Sequence, residues 1–136
     1  MNIVVMDAQG GGMGRMLVEA LKRTLPGQRV IAVGTNTLAT AAMLKAGADQ
    51  GATGENAICV CAQRADLILA PIGMVLCDAM LGEVTAAMAN AVAASSAHKI
   101  LIPVSKCQVT IPGLPRQTMA EAVEAAVREA ALHIVG

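Results

Sequence analysis

The chain opens on an unbroken apolar run, Ile3-Val4-Val5-Met6, then turns through Asp7-Ala8-Gln9-Gly10-Gly11-Gly12-Met13-Gly14-Arg15. Beyond that turn Met13, Met16, Leu17, Ala20, Leu21 and Leu25 recur at steps of three and four, the spacing of one buried helical face. The pattern predicts a strand over residues 2–6 and a helix over 12–25, stopped by Pro26-Gly27. The same rhythm continues with a short β-rich run at 29–33, a helix at 37–46 closed by Gly47, and a brief strand at 49–52. A helix over 54–64 follows, opened by Glu55-Asn56, with Thr53 as its capping side chain. Asp66 to Ala70 reads as a fully buried parallel strand ending at Pro71. A long small-residue helical region spans 74–94, broken near Gly82, and a strand covers 99–104. Gln108-Val109-Thr110-Ile111 predicts a sixth strand, ended by Pro112-Gly113, before an amphipathic helix at 118–135.

Strands alternating with helices predict one α/β domain over 1–136: a mostly parallel sheet of about five strands with helices on both faces. Right-handed crossovers then bring every strand's C-terminal end to one edge, where such sheets bind ligands. That edge collects the glycine turn, Thr35-Asn36, Thr53-Gly54-Glu55-Asn56, Pro71-Ile72-Gly73 and Ser105-Lys106. The candidate cofactor-binding residues are therefore Gly10, Gly11, Gly12, Met13, Gly14, Arg15, Thr35, Asn36, Thr53, Glu55, Asn56 and Gly73. Thr35, Asn36 and Thr53 read equally well as helix caps.

Strand, glycine turn and helix present backbone N–H groups and a helix N-terminus to an anion. The Gly-x-Gly-x-x-Gly fingerprint fails, since Arg15 stands at its third glycine. The looser Gly-x-x-x-Gly-x-Gly spacing fits Ala8, Gly12 and Gly14 with alanine first, and resembles the turn of the short-chain dehydrogenases. The chain departs from that family by containing no tyrosine. No acidic residue ends the second strand to hold a ribose hydroxyl, and no Gly-Lys-Ser or Gly-Lys-Thr makes a P-loop. The bland alternative is a tight turn that lets the first helix pack closely on the sheet.

Ten basic and ten acidic side chains balance, and Phe, Tyr and Trp are absent, so neither charge nor stacking surface favours nucleic acid as a partner. No basic segment precedes the first apolar run, and Val84 to Ala97 is too short to span a bilayer, which predicts a cytoplasmic protein with no membrane partner. Hydrophobic residues make up 55% and charged ones 15%, so some apolar surface is expected to meet another subunit, most simply in a homodimer. Cys59, Cys61, Cys77 and Cys107 lack zinc spacing to His98 and His133, and read as free thiols with no metal.

Longer strings carry a family resemblance. Asp7 through Gly14, Ala32-Val33-Gly34-Thr35-Asn36, Met43 through Asp49, Gly51 through Ile58, and Lys99 through Pro103 are similar to a family of small bacterial proteins of unknown function. Members usually have glycine where this chain has Ala8. The resemblance implies a Rossmann-like three-layer sandwich and no particular activity. The leading expectation is a Rossmann-like protein that binds a nucleotide or other phosphorylated small molecule, with a dinucleotide also open. Two alternatives stand beside it: an enzyme using Glu55 or Asp7 as acid/base with Lys106 as electrophile or anchor, and an oligomeric structural or regulatory subunit.

Overall fold

The computed structural model describes residues 1–104 and 108–134. Five strands, β1 (Ile3–Asp7), β2 (Val30–Gly34), β3 (Gln50–Thr53), β4 (Leu67–Pro71) and β5 (His98–Ile102), form one sheet in the order β3-β2-β1-β4-β5. Every pairing is parallel. The register sets Asp7 opposite Gly34, Gly34 opposite Thr53, and Pro71 opposite Ile102, so the strands end together along one edge.

The helices are α1 (Gly12–Thr24), α2 (Thr37–Lys45), α3 (Glu55–Arg64), α4 (Ala86–Ala94) and α5 (Met119–His133). Strand residues alternate between two cores, as a pleated sheet buried on both faces requires. Ile3 and Val5 join Leu17 and Leu21 of α1, Met43 of α2 and Val127 of α5 on one face. Val4 and Met6 join Ile58 of α3 and Met88 and Val92 of α4 on the other. Without aromatic rings, Met6, Met43 and Met74 fill interior space at 0% exposure, their unbranched side chains adapting to the gaps. Each such buried side chain contributes about 1.5–3 kcal/mol of transfer free energy. The result is a Rossmann-like α/β sandwich, as the alternating pattern predicts.

Two predicted elements differ. The region 74–94 is not one broken helix: a 3-10 turn at Ile72–Val75 leads into a strap of turns, and only Ala86–Ala94 is α-helical. Asp78, Met80 and Leu81 have φ of 64°, 57° and 60°, left-handed values that interrupt any right-handed helix. Residues 108–111 form no strand; the β-branched run Val109-Thr110-Ile111 has the propensity but no neighbouring strand among the described residues. No described helix is long and apolar enough to cross a membrane.

Candidate functional site

β1 lies between β2 and β4. The chain leaves β1 through α1 on one face and leaves β4 through α4 on the other, so the crevice beyond β1 and β4 is the sheet's switch point, where such sheets take ligands. A cavity of about 200 Å³ sits there. Its walls are Asp7 through Met13, Pro71 at the end of β4, Met80 from the strap, Val104, and Met119 at the start of α5. A larger cavity of about 410 Å³, between Val4, Ile31, Ala52, Cys61 and Arg64, has no residue of the glycine turn in its walls.

Asp7 organises the turn. Its carboxylate accepts the Ala8 N–H at 2.8 Å on one oxygen and the Gly14 N–H at 2.7 Å on the other. The first turn of α1 thus has an internal anion in place of a side-chain cap, since its N-cap is Gly11 in the left-handed region. Burial pushes the Asp7 carboxyl above its usual range, against the lowering effect of these N–H donors and with help from the nearby Glu83 charge.

The four glycines have different reasons to be glycine. Gly11 has φ 73°, and a Cβ there would lie 2.8 Å from the Ala39 Cα. A Cβ on Gly14 would lie 2.6 Å from Met43 Sδ and 2.8 Å from Asp7 Cβ. Both are demanded by packing of α1 against α2 and β1. At Gly10 and Gly12 an added Cβ would meet nothing within 4 Å, and neither has a positive φ. Both line the cavity, and among the described residues neither N–H has a hydrogen-bond acceptor.

The other predicted residues divide. Met13 is buried and lines the cavity, whereas Arg15 is exposed and pairs with Glu19 at 2.9 Å along α1. Thr35 donates its backbone N–H to the Asp7 carbonyl at 3.1 Å, and its buried hydroxyl has no partner among the described residues. Asn36 caps α2 through the Ala39 N–H at 2.9 Å, while its Nδ2 donates to the Gln9 carbonyl, also at 2.9 Å. Thr53 does not cap α3, whose N-cap is Gly54 at φ 104°; its hydroxyl instead lies 2.7 Å from that of Thr40. Glu55 accepts the Thr85 hydroxyl at 2.6 Å. Thr53 ends β3, two strands from β1, Glu55 and Asn56 follow it, and none of the three lines the cavity. Gly73 is buried in the 3-10 turn and is also absent from its walls. Ser105, Lys106 and Cys107 lie outside the described residues.

Sequence reasoning missed Glu83. From the strap it accepts the Gln9 N–H at 2.5 Å on one oxygen and the Asn36 Nδ2 at 2.7 Å on the other. No local pattern marks such a residue, because the contact joins positions 74 apart in the chain. Thr40 was missed for a related reason. Its buried hydroxyl, which lies against Thr53, also accepts the Gly34 N–H at 3.2 Å.

The chain belongs to the family described as Domain of unknown function (DUF3842), whose model matches residues 2–134. No curated protein matches it. Among solved structures it is similar to a dodecameric FMN-dependent Ubix-like decarboxylase from Escherichia coli O157:H7, with 16% identity over 95% of this chain and 76% of the other, at a TM-score of 0.44.

Proposed function

We propose that this protein binds a nucleotide or other phosphorylated small molecule over the glycine turn, its anionic group resting against the backbone of Gly10 and Gly12. The observation that carries the reading is the division among the glycines. Packing requires Gly11 and Gly14, whereas Gly10 and Gly12, which line the switch-point cavity together with Gly11, meet no steric demand from the protein itself. A backbone left bare beside a cavity suits close approach by a ligand. The volume of about 200 Å³ is below the roughly 300–1,000 Å³ of drug-sized sites. It suits a phosphate with its attached sugar, the rest of a larger ligand lying along the open edge. Calorimetric titration with nucleoside monophosphates and inorganic phosphate tests the reading. Measurable binding that is lost in Gly12→Val at an unchanged melting temperature supports it; equal affinity in that variant overturns it.

An enzymatic reading rests on Asp7, a buried carboxyl with a raised pKa in the cavity wall, the combination that acid/base work uses. An oligomer is favoured by Leu38, Leu81 and Leu132, which are 73%, 101% and 70% exposed.

A further inference from the structure

We infer that Glu83 is the hydroxyl acceptor of this site and makes it selective for a ribose with a free 2′-hydroxyl; the inference rests on the nucleotide reading above. In dinucleotide-binding sheets an acidic residue at the end of the second strand accepts a hydrogen bond from the ribose 2′-hydroxyl. Here β2 ends in Gly34, followed by Thr35 and Asn36, and has no carboxylate of its own. The register puts Gly34 beside Asp7, so this end of β2 is next to the glycine turn.

The strap supplies the missing group from another part of the chain. Glu83 and Asn36 are not themselves in the cavity wall. Glu83 adjoins that wall through the Gln9 N–H at 2.5 Å, Gln9 and the strap's Met80 being wall residues, and reaches the end of β2 through Asn36 Nδ2 at 2.7 Å. A carboxylate has about four acceptor positions. These two bonds use one on each oxygen and leave the others for a ligand hydroxyl. Asn36 cannot take the same role with charge, and its Oδ1 is already engaged with the Ala39 N–H. Met80, Leu81 and Gly82, at φ 57°, 60° and 86°, bend the strap immediately before Glu83 in conformations that L residues rarely adopt. Of the other acids at this edge, Asp7 accepts the Ala8 and Gly14 N–H groups within the turn, and Glu55, which follows β3, is held by Thr85.

A carboxylate at this position accepts from a hydroxyl, gains nothing from a 2′-deoxy sugar and repels a 2′-phosphate. The test is calorimetry with adenosine and uridine 5′-monophosphates, each beside its 2′-deoxy counterpart, together with adenosine 2′,5′-bisphosphate and inorganic phosphate. The wild-type protein should prefer ribo to deoxy by about tenfold or more, the value of one hydrogen bond to a charged acceptor. In Glu83→Ala that ratio should fall to about one while inorganic phosphate still binds. Glu83→Gln, which keeps the shape of the side chain, should relieve rejection of the 2′-phosphate and so carries the test if the alanine variant fails to fold. Equal binding of ribo and deoxy ligands by the wild type overturns the inference and leaves the phosphate site standing. So does an unchanged ratio with a lowered melting temperature in both variants, which would make Glu83 a tether for the strap. Absence of binding by every nucleotide and by phosphate overturns both readings.

Discussion

Asp7 and Gly14 are locked together across the glycine turn: the Gly14 N–H donates to the Asp7 carboxylate at 2.7 Å, and a Cβ at position 14 would stand 2.8 Å from Asp7 Cβ. The contact ties the end of β1 to the first turn of α1 and requires that residue 14 have no side chain. It also puts a carboxylate where burial opposes its charge. Because the folded-state pKa is raised, the stability linked to Asp7 protonation is fully present below the ordinary value of 3.8 and is lost as pH rises through the raised one. Wild type should therefore lose stability relative to Asp7→Asn as pH climbs from about 3.8. Urea unfolding of both proteins across that range measures the difference; a gap that stays constant with pH would show that Asp7 does not titrate this way.

Substitutions within the glycine turn should separate packing from binding. Gly11→Ala and Gly14→Ala each force a clash that the neighbours must relieve, for a loss of about 1–3 kcal/mol. Gly10→Ala and Gly12→Ala should stay within about 0.5 kcal/mol of wild type, as surface changes usually do. Chemical denaturation of the four variants checks this. Destabilisation by Gly12→Ala as large as by Gly11→Ala would return every glycine of the turn to a structural role.

Thr40→Val should destabilise the protein by about 1–3 kcal/mol, because it removes a buried hydroxyl that bonds the Gly34 N–H, the Ala52 carbonyl and the Thr53 hydroxyl. The loss should be greater than for Thr53→Val, whose hydroxyl belongs to an exposed residue. Thermal melting of the two variants ranks them.

Sedimentation at micromolar concentration should give a mass above the 13.8 kDa of one chain. Leu38→Glu and Leu132→Glu, at exposed positions on α2 and α5, should shift that mass downward if either helix carries the contact. A clean monomer in the unmodified protein removes the expectation.

The fold was legible because its signals are local. Ile3 to Met6 and Leu67 to Ala70 read as unbroken apolar strands since both faces are covered, and Leu17 and Leu21 recur at helical spacing since one face of α1 is buried. Apart from the region 74–94 and the expected sixth strand, element ends fell within a residue or two of those predicted. Local propensity misled at Val109-Thr110-Ile111, where β-branched residues have no strand to pair with. Alanine and methionine between residues 74 and 84 suggested helix, but Asp78, Met80 and Leu81 take left-handed conformations there. The glycine turn was legible as a motif, although which glycines serve packing depended on Ala39 and Met43 of α2. The contacts of Glu83 with Gln9 and Asn36 join the strap to the ends of β1 and β2, and nothing in the residues flanking Glu83 announces them.

β1 is the first strand of this sheet to leave the ribosome and the middle strand of the finished sheet. Its β2 neighbour is complete once residue 34 has been added, but β4 is complete only at residue 71. At about 5–20 residues per second that interval lasts roughly two to seven seconds. Throughout it, one side of Ile3 to Met6 offers unpaired backbone groups on an apolar strand, a template for pairing with another chain. Once β4 docks, both sides of β1 are paired and the opportunity closes. The growing polypeptide, more than the folded protein, is the species exposed to aggregation through this strand.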